Sequence, residues 1–189
     1  MTQRELGASY LRDIIRSFSN YKALGDAAIA KVTADSDLHD QLDPQSNSIA
    51  IIVKHVGGNL RSRYTDFLTT DGEKPDRNRD GEFEITEPLS RVEIMKWWNA
   101  GWTTLMAALE ALTLDDLDRT VYVRGEAFQV VEALNRSLTH TAYHVGQIVY
   151  LARHLAGSNW TSLSIPKGKS AEAKGDFKKG RFERLGQSS

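Results

Sequence analysis

The last periodic segment of the chain constrains the fold more than any other feature. From Gln129 to Ala156, apolar residues recur at alternating spacings of three and four, as in a helix that buries one stripe against neighbouring helices. The stripe comprises Val131, Leu134, Leu138, Thr141, Val145, Ile148, Ala152 and Leu155. Gly157 follows the last turn, where glycine commonly ends a helix. The segment therefore predicts a long helix in an all-α core.

Three earlier segments show the same helical periodicity. They run approximately from Arg4 to Val32, from Ser46 to Leu68 and from Pro88 to Leu112. Between the third and the last segment, Val121 to Phe128 combines β-branched and aromatic residues around a glycine, which predicts a small β-hairpin or an extended turn. Four long helices predict an all-α four-helix bundle.

The connection between the second and third helices is unusually long and charged. Nine of the fourteen residues from Asp71 to Glu84 are charged, and two glycines and a proline are among the others. Such a composition is typical of a solvated loop. The length suits a crossover from one end of a bundle to the other. We therefore predict a long, solvent-exposed crossover here.

One domain accounts for most of the chain. The 189 residues, 40% of them hydrophobic, suffice for a single core. We predict a metal-binding bundle domain over residues 1–160 and a basic tail, extended or partly disordered, over residues 161–189. From Ile165 onward, seven Lys and Arg residues stand against three acidic residues. The formal net charge of −1 argues against nucleic acid as the main partner.

The sequence indicates a cytoplasmic protein. The longest apolar run, Ile49 to Val53, is too short to span a bilayer, and residues 1–5 lead into an amphipathic pattern rather than the apolar core of a signal peptide. The chain contains no cysteine, which excludes disulfides, thiolate metal ligands and a cysteine nucleophile. We therefore expect a cytoplasmic location and no association with a membrane.

Three histidines predict a metal site. His140 and His144 stand four residues apart, so both imidazoles lie on one face of the last helix. His55 borders the apolar face of the second helix and completes a set of three neutral ligands if the two helices pack together. Three imidazoles suit Zn²⁺, Ni²⁺, Mn²⁺ or Fe²⁺ and leave a coordination position for water or substrate. The alternative interpretation is partly buried, hydrogen-bonded core histidines.

Four further residues are candidates for the surroundings of this site. Asn59 lies one turn beyond His55, and Gln147 one turn beyond His144, so either can orient a ligand or hydrogen-bond to a metal-binding histidine. Closing the end of a cavity is an equally good explanation for both. Trp102 and Tyr143 are candidates for lining a pocket, although aromatic residues at helical spacing more often belong to the core.

Two neighbouring glycines interrupt the second predicted helix. Gly57 and Gly58 each cost about 1 kcal/mol relative to alanine inside a helix. Close approach of another helix or of a ligand to the backbone would explain them. A local kink is the alternative explanation.

With these motifs the chain resembles the DinB/YfiT-like superfamily of metal-dependent enzymes, and within it a subfamily of unknown function. The matching residues are 51–55 (IIVKH) and 140–147 (HTAYHVGQ), and the resemblance covers about residues 4–156. It implies a four-helix bundle with a long crossover and a metal site formed by His55, His140 and His144. The chain departs from the pattern at Asn59, where relatives often carry a carboxylate.

The resemblance also implies a function. Better-understood relatives are thiol-dependent transferases or isomerases that use low-molecular-weight thiols such as bacillithiol or mycothiol, and many are homodimers. We therefore expect a divalent metal ion, foremost zinc or nickel and otherwise manganese or iron, that activates such a thiol, or water, for transfer to a small electrophilic substrate. The alternative is a non-catalytic dimeric bundle for stress response or partner binding, with a structural or sensing metal site. Only the enzyme hypothesis requires a pocket that ends at the histidines.

Overall fold

The structure, a computed structural model, describes residues 1–172 and is mostly helical. Its long helices are α1 (Gln3–Lys31), α2 (Ile49–Tyr64), α3 (Arg91–Ala111) and α4 (Val130–Ala156). Short 3₁₀ turns span Ser36–His39, Asp80–Phe83, Leu114–Asp116 and Gly157–Asn159. Within residues 1–172, none of the helices combines the length and the apolar character that crossing a bilayer requires. Residues 173–189 of the predicted basic tail lie outside the described residues.

Capping residues explain where α1 and α3 begin. Thr2 accepts a hydrogen bond from the backbone of Glu5, whose carboxylate accepts one from the backbone of Thr2 in return. Ser90 and Glu93 form the same reciprocal pair at the start of α3. The predicted start of the third helix at Pro88 is therefore wrong, because the cap stands two residues later.

The ends of α2 and α4 are decided by local backbone conformation. α2 ends at Tyr64 rather than at the predicted Leu68, because the chain turns at Asp66, whose φ of 48° does not continue a right-handed helix. α4 ends where predicted, at Ala156, and Gly157 follows with a φ of 51° that glycine adopts readily.

The helices bury their apolar stripes against one another. The most extensive contacts join α2 to α3 and α1 to α4, and α2 also packs on α4. The predicted stripe of α4 is confirmed at its centre, since Thr141, Val145 and Ile148 are fully buried. The largest fully buried side chains are Phe18, Leu38, Ile49, Leu60, Ile94, Trp98, Trp102, Leu105, Leu109, Leu134 and Ile148. Removal of this apolar surface from water is the main stabilising contribution to the fold.

The backbones of α2 and α3 touch at a pair of glycines. A Cβ atom at Gly57 would collide with the carbonyl of Trp97, and one at Gly101 would lie 2.5 Å from the carbonyl oxygen of Gly57. Close approach of a neighbouring helix is therefore the correct explanation for Gly57.

The predicted hairpin before the last helix is confirmed. β1 (Thr120–Val123) and β2 (Glu126–Gln129) pair antiparallel through a two-residue turn. Arg124 and Gly125 at the turn have φ values of 57° and 74°, as a type I′ turn requires. Asp71 accepts hydrogen bonds from the backbone of both residues at 2.8 and 2.7 Å, which joins the start of the crossover to the hairpin.

Part of the crossover is buried, although its composition predicts a solvated loop throughout. Glu82 is only 7% exposed, and the side chain of Arg77 is 4% exposed. The 3₁₀ turn Asp80–Phe83 packs on α2, and Ser62 of α2 donates a hydrogen bond to the carbonyl of Gly72 at 2.8 Å. The charges of Glu82 and Arg77 are buried because they pair with each other, whereas other charged residues of the crossover remain exposed. This part of the crossover therefore forms a wall of the site described next.

Candidate metal centre

α2 and α4 bring the three predicted histidines together. Each of His55, His140 and His144 offers a ring nitrogen, and these atoms all lie within 4.8 Å of one another. The Nε2 atoms of His55 and His140 are 3.3 Å apart. Two imidazole nitrogens that bind one tetrahedral zinc ion lie about 3.3 Å apart, because each Zn–N bond is about 2.0–2.1 Å long. The cluster could therefore hold one shared ion.

Two of the histidines are oriented through their other ring nitrogen. Nδ1 of His55 donates to Oε2 of Glu82 at 2.8 Å, since a carboxylate oxygen can only accept. Nδ1 of His144 lies 2.8 Å from Oε1 of Gln147, so Gln147 sits where it was predicted to support the site. In both residues the proton on Nδ1 leaves a lone pair on Nε2, which is the tautomer a metal ion needs.

His140 supplies a direct test of whether a cation fits this cluster. Its Nδ1 is buried and has no hydrogen-bond partner within residues 1–172. With Nδ1 of His55 committed to Glu82, Nε2 of His55 presents a lone pair to Nε2 of His140 at 3.3 Å. Either a proton on Nε2 of His140 or a shared metal ion satisfies this lone pair, and only the metal ion lets Nδ1 of His140 keep its proton. The donor set therefore fits a divalent ion.

The imidazoles of α4 are in the form that binds metals. Burial, together with the neighbouring His144 and His55, lowers the pKa of His140 to about 3. Burial also lowers the pKa of His144 to about 4, against the opposing hydrogen bond to Gln147. Both side chains are therefore neutral near neutral pH, and a neutral imidazole is the ligand that a metal ion requires.

The carboxylate that orients His55 comes from the crossover and was not predicted. Burial by itself would raise the pKa of Glu82, but hydrogen bonds from His55 and Arg77 hold it below its usual value. Arg77 donates to this carboxylate through Nε at 2.8 Å and Nη2 at 2.9 Å. Gly58 makes room for Glu82, because a Cβ atom there would lie 2.5 Å from its Oε1. In the sequence, only Gly58 had indicated that a side chain such as Glu82 approaches the backbone of α2.

The three histidines line a cavity of about 310 Å³ between α2, α4, the crossover and the hairpin. Its volume is at the lower end of the range for small-molecule sites. Phe83 packs its ring 4.6 Å from that of His55. Five arginines also line the cavity: Arg63, Arg77, Arg79, Arg124 and Arg136. A small molecule in the cavity would contact both the histidines and the arginines.

The remaining predicted residues divide into two groups. Asn59 and Tyr143 line the cavity, and the Tyr143 ring lies 4.3 Å from that of His144. Trp102 lies instead in the core, where it packs edge-on against Phe18 and Trp98. It does not line the cavity in the described part of the chain, which corrects the pocket role predicted for it. The spacing of four residues between Trp98 and Trp102 places both rings in the core rather than in the cavity wall.

Comparison with known families places these residues in a wider group. A family model described as "Protein of unknown function (DUF1572)" matches residues 5–169. The chain belongs to the DUF1572 family. The DUF1572 match includes the three histidines, Glu82 and all five cavity arginines. Neither a curated protein nor a solved structure matches the chain.

Replacement of Glu82 by glutamine is expected to weaken metal binding. Glu82→Gln keeps the size of the side chain but removes the charge that holds the proton on Nδ1 of His55. Mutation of such a supporting partner typically lowers metal affinity about 10–100-fold. Competition with a chromophoric zinc chelator measures the change. Glu84→Gln, an exposed position in the same segment, is the matched control, and equal zinc affinity in both variants would contradict the role given to Glu82.

Proposed function

We propose that this DUF1572 protein is a metal-dependent enzyme of the DinB/YfiT-like type, in which the four helices form a bundle around a three-histidine site. The observation that carries the proposal is the cavity, because His55, His140 and His144 lie in its wall. A structural metal site has all its positions filled by protein and does not need access for a small molecule. The cavity therefore favours catalysis over the non-catalytic alternative.

The proposed ion is divalent. Three neutral imidazoles favour zinc or nickel, and manganese or iron is also compatible with nitrogen ligands. Bound to these ligands, the ion supplies the charge that lowers the pKa of a thiol or of water. Glu82 and Gln147 keep two of the histidines in the binding tautomer and orientation.

The proposed reaction is transfer of a low-molecular-weight thiol to a small electrophile. The thiol gives its proton to water, its sulfur forms the new bond to an electrophilic carbon, and the leaving group departs with the electrons of the broken bond. Water could replace the thiol as the nucleophile in a hydrolytic variant. An external thiol suits a chain of 189 residues without a single cysteine.

Activity of the metal-loaded protein tests this proposal. We expect the protein to accelerate consumption of bacillithiol or mycothiol in the presence of monochlorobimane, a general electrophile that becomes fluorescent on thiol addition. His144→Ala should abolish the acceleration. His154→Ala is the matched control, since His154 is exposed on the same helix outside the histidine cluster. Equal rates for the parent and His144→Ala would rule out catalysis at this site.

A further inference from the structure

We infer that the cavity beside the three histidines binds its ligand through an oxyanion group, a carboxylate or a phosphate, with Arg63 as the inner contact. The assignment of this ligand as the substrate or thiol cosubstrate rests on the proposed function. The binding of the anion does not, because it depends mainly on the arginines, which are not metal ligands.

The cavity wall concentrates positive charge. All the charged residues in its lining other than histidine are arginines, within the described part of the chain. The chain as a whole carries 24 basic and 25 acidic residues, so the concentration does not follow from composition. A concave site with charge of one sign attracts ligands of the opposite sign.

The nearby carboxylates do not balance these arginines. Glu73 is shared by Arg63, Arg77 and Arg124, each at 3.2 Å. Glu82 is shared by Arg77 and His55. One carboxylate therefore serves three guanidinium groups, and the other is already occupied by Arg77 and the histidine.

Arg79 and Arg136, two exposed arginines of the cavity wall, are even less neutralised by carboxylates. The partner of Arg79 is Asp80 at 3.8 Å, whose side chain is 96% exposed, and such a surface pair contributes little. Arg136 stacks on the ring of Phe128 at 5.2 Å and forms no ion pair with residues 1–172. Both guanidinium groups remain available to a ligand that enters the cavity.

Arg63 and Arg77 are the two mostly buried members of the group, and Arg77 is already hydrogen-bonded to Glu82. Burial lowers the pKa of Arg63; Glu73 opposes this, and the charges of three other arginines in the cavity wall add to the lowering. Although Glu73 lies 3.2 Å from Nη1 of Arg63, that nitrogen forms no hydrogen bond of acceptable geometry with the described residues. A ligand oxyanion would both neutralise Arg63 and accept this hydrogen bond.

Unsatisfied donors cluster at the same cavity. Six buried side-chain atoms have no hydrogen-bond partner in residues 1–172, and four belong to residues that line the cavity: Arg63 Nη1, Tyr64 Oη, Ser137 Oγ and His140 Nδ1. Each of the four can donate a hydrogen bond, and Tyr64 Oη and Ser137 Oγ interact at most weakly with each other. Because buried polar groups are normally paired, this set points to a ligand rich in acceptor oxygens.

A matched pair of probes tests the inference. 3-Mercaptopropionate and its methyl ester both carry a thiol, but only the acid carries an anion. We expect isothermal titration calorimetry to show that the acid binds at least about tenfold more tightly than the ester, with and without metal in the protein. Arg63→Gln should remove the preference, and Tyr64→Phe should reduce it.

Control variants separate anion binding from folding and from the metal site. Arg153→Gln, at an exposed position of α4 outside the cavity lining, should keep the preference of the parent. Arg136→Gln, also exposed, carries the test if Arg63→Gln does not fold, and should weaken binding of the acid.

The outcomes distinguish the two proposals. Equal affinity for acid and ester in the parent, no saturable binding of the acid at millimolar concentration, or an unchanged preference in folded arginine variants would overturn the inference. Preference for the acid in a protein that binds no metal would sustain the inference and refute the proposed function. Metal-dependent thiol transfer without a preference for the acid would support the proposed function and overturn the inference.

Discussion

The His140→Ala/His144→Ala double variant is expected to lose its bound metal. Both imidazoles come from one face of α4, so the two substitutions leave only His55 of the three converging nitrogens. Elemental analysis of untagged protein prepared without chelator should find about one equivalent of metal in the parent and only background in the variant. Zinc at about 100 times its Kd should also stabilise the parent by about 2.7 kcal/mol and leave the variant unchanged.

The control for this prediction removes a histidine from the same helix. His154→Ala should bind metal like the parent, because His154 is exposed and stands outside the cluster. A parent that contains no metal, and whose melting temperature does not respond to zinc, nickel or manganese, would show that the three histidines are core residues. Full metal content in the double variant would place the ion elsewhere.

Gly57→Ala is expected to destabilise the protein. Alanine in place of glycine inside a helix usually contributes about 1 kcal/mol of stability. Here the new methyl group would collide with the backbone carbonyl of Trp97, which cannot yield without moving α3 away from α2. Overpacking of this kind costs about 1–3 kcal/mol, so after the helical gain we expect a net loss of up to about 2 kcal/mol in the free energy of unfolding, measured by urea denaturation.

Two other glycines provide the comparison. Gly146→Ala on α4 should stabilise the protein by about 1 kcal/mol, because nothing lies within 4 Å of the added methyl group. In Gly58→Ala the new methyl group meets the end of the Glu82 side chain, which can shift. We therefore expect a clear loss of zinc affinity and only a small change in the free energy of unfolding. Stabilisation by Gly57→Ala as large as that by Gly146→Ala would contradict the close contact between α2 and α3.

Local patterns predicted the helices and the histidine pair. The stripe of α4 follows from helical geometry, and the same geometry places His140 and His144 on one face before any tertiary contact is known. The hairpin was predicted because residues 121–128 favour strands around a glycine turn. Errors at the ends of helices, such as Leu68 and Pro88, are of a local kind, since a cap or a turn residue decides them.

The sequence by itself therefore determined the long helices, the hairpin and the helical faces of the candidate ligands. Only the tertiary structure decided which residues surround them. Arg77 and Glu82 stand in a segment whose composition predicts solvent exposure, and they are buried because they pair with each other and with His55 of α2. Periodicity reports the faces of one helix, whereas a charge in a loop carries no periodic signal. Its burial depends on a partner that folding brings to it.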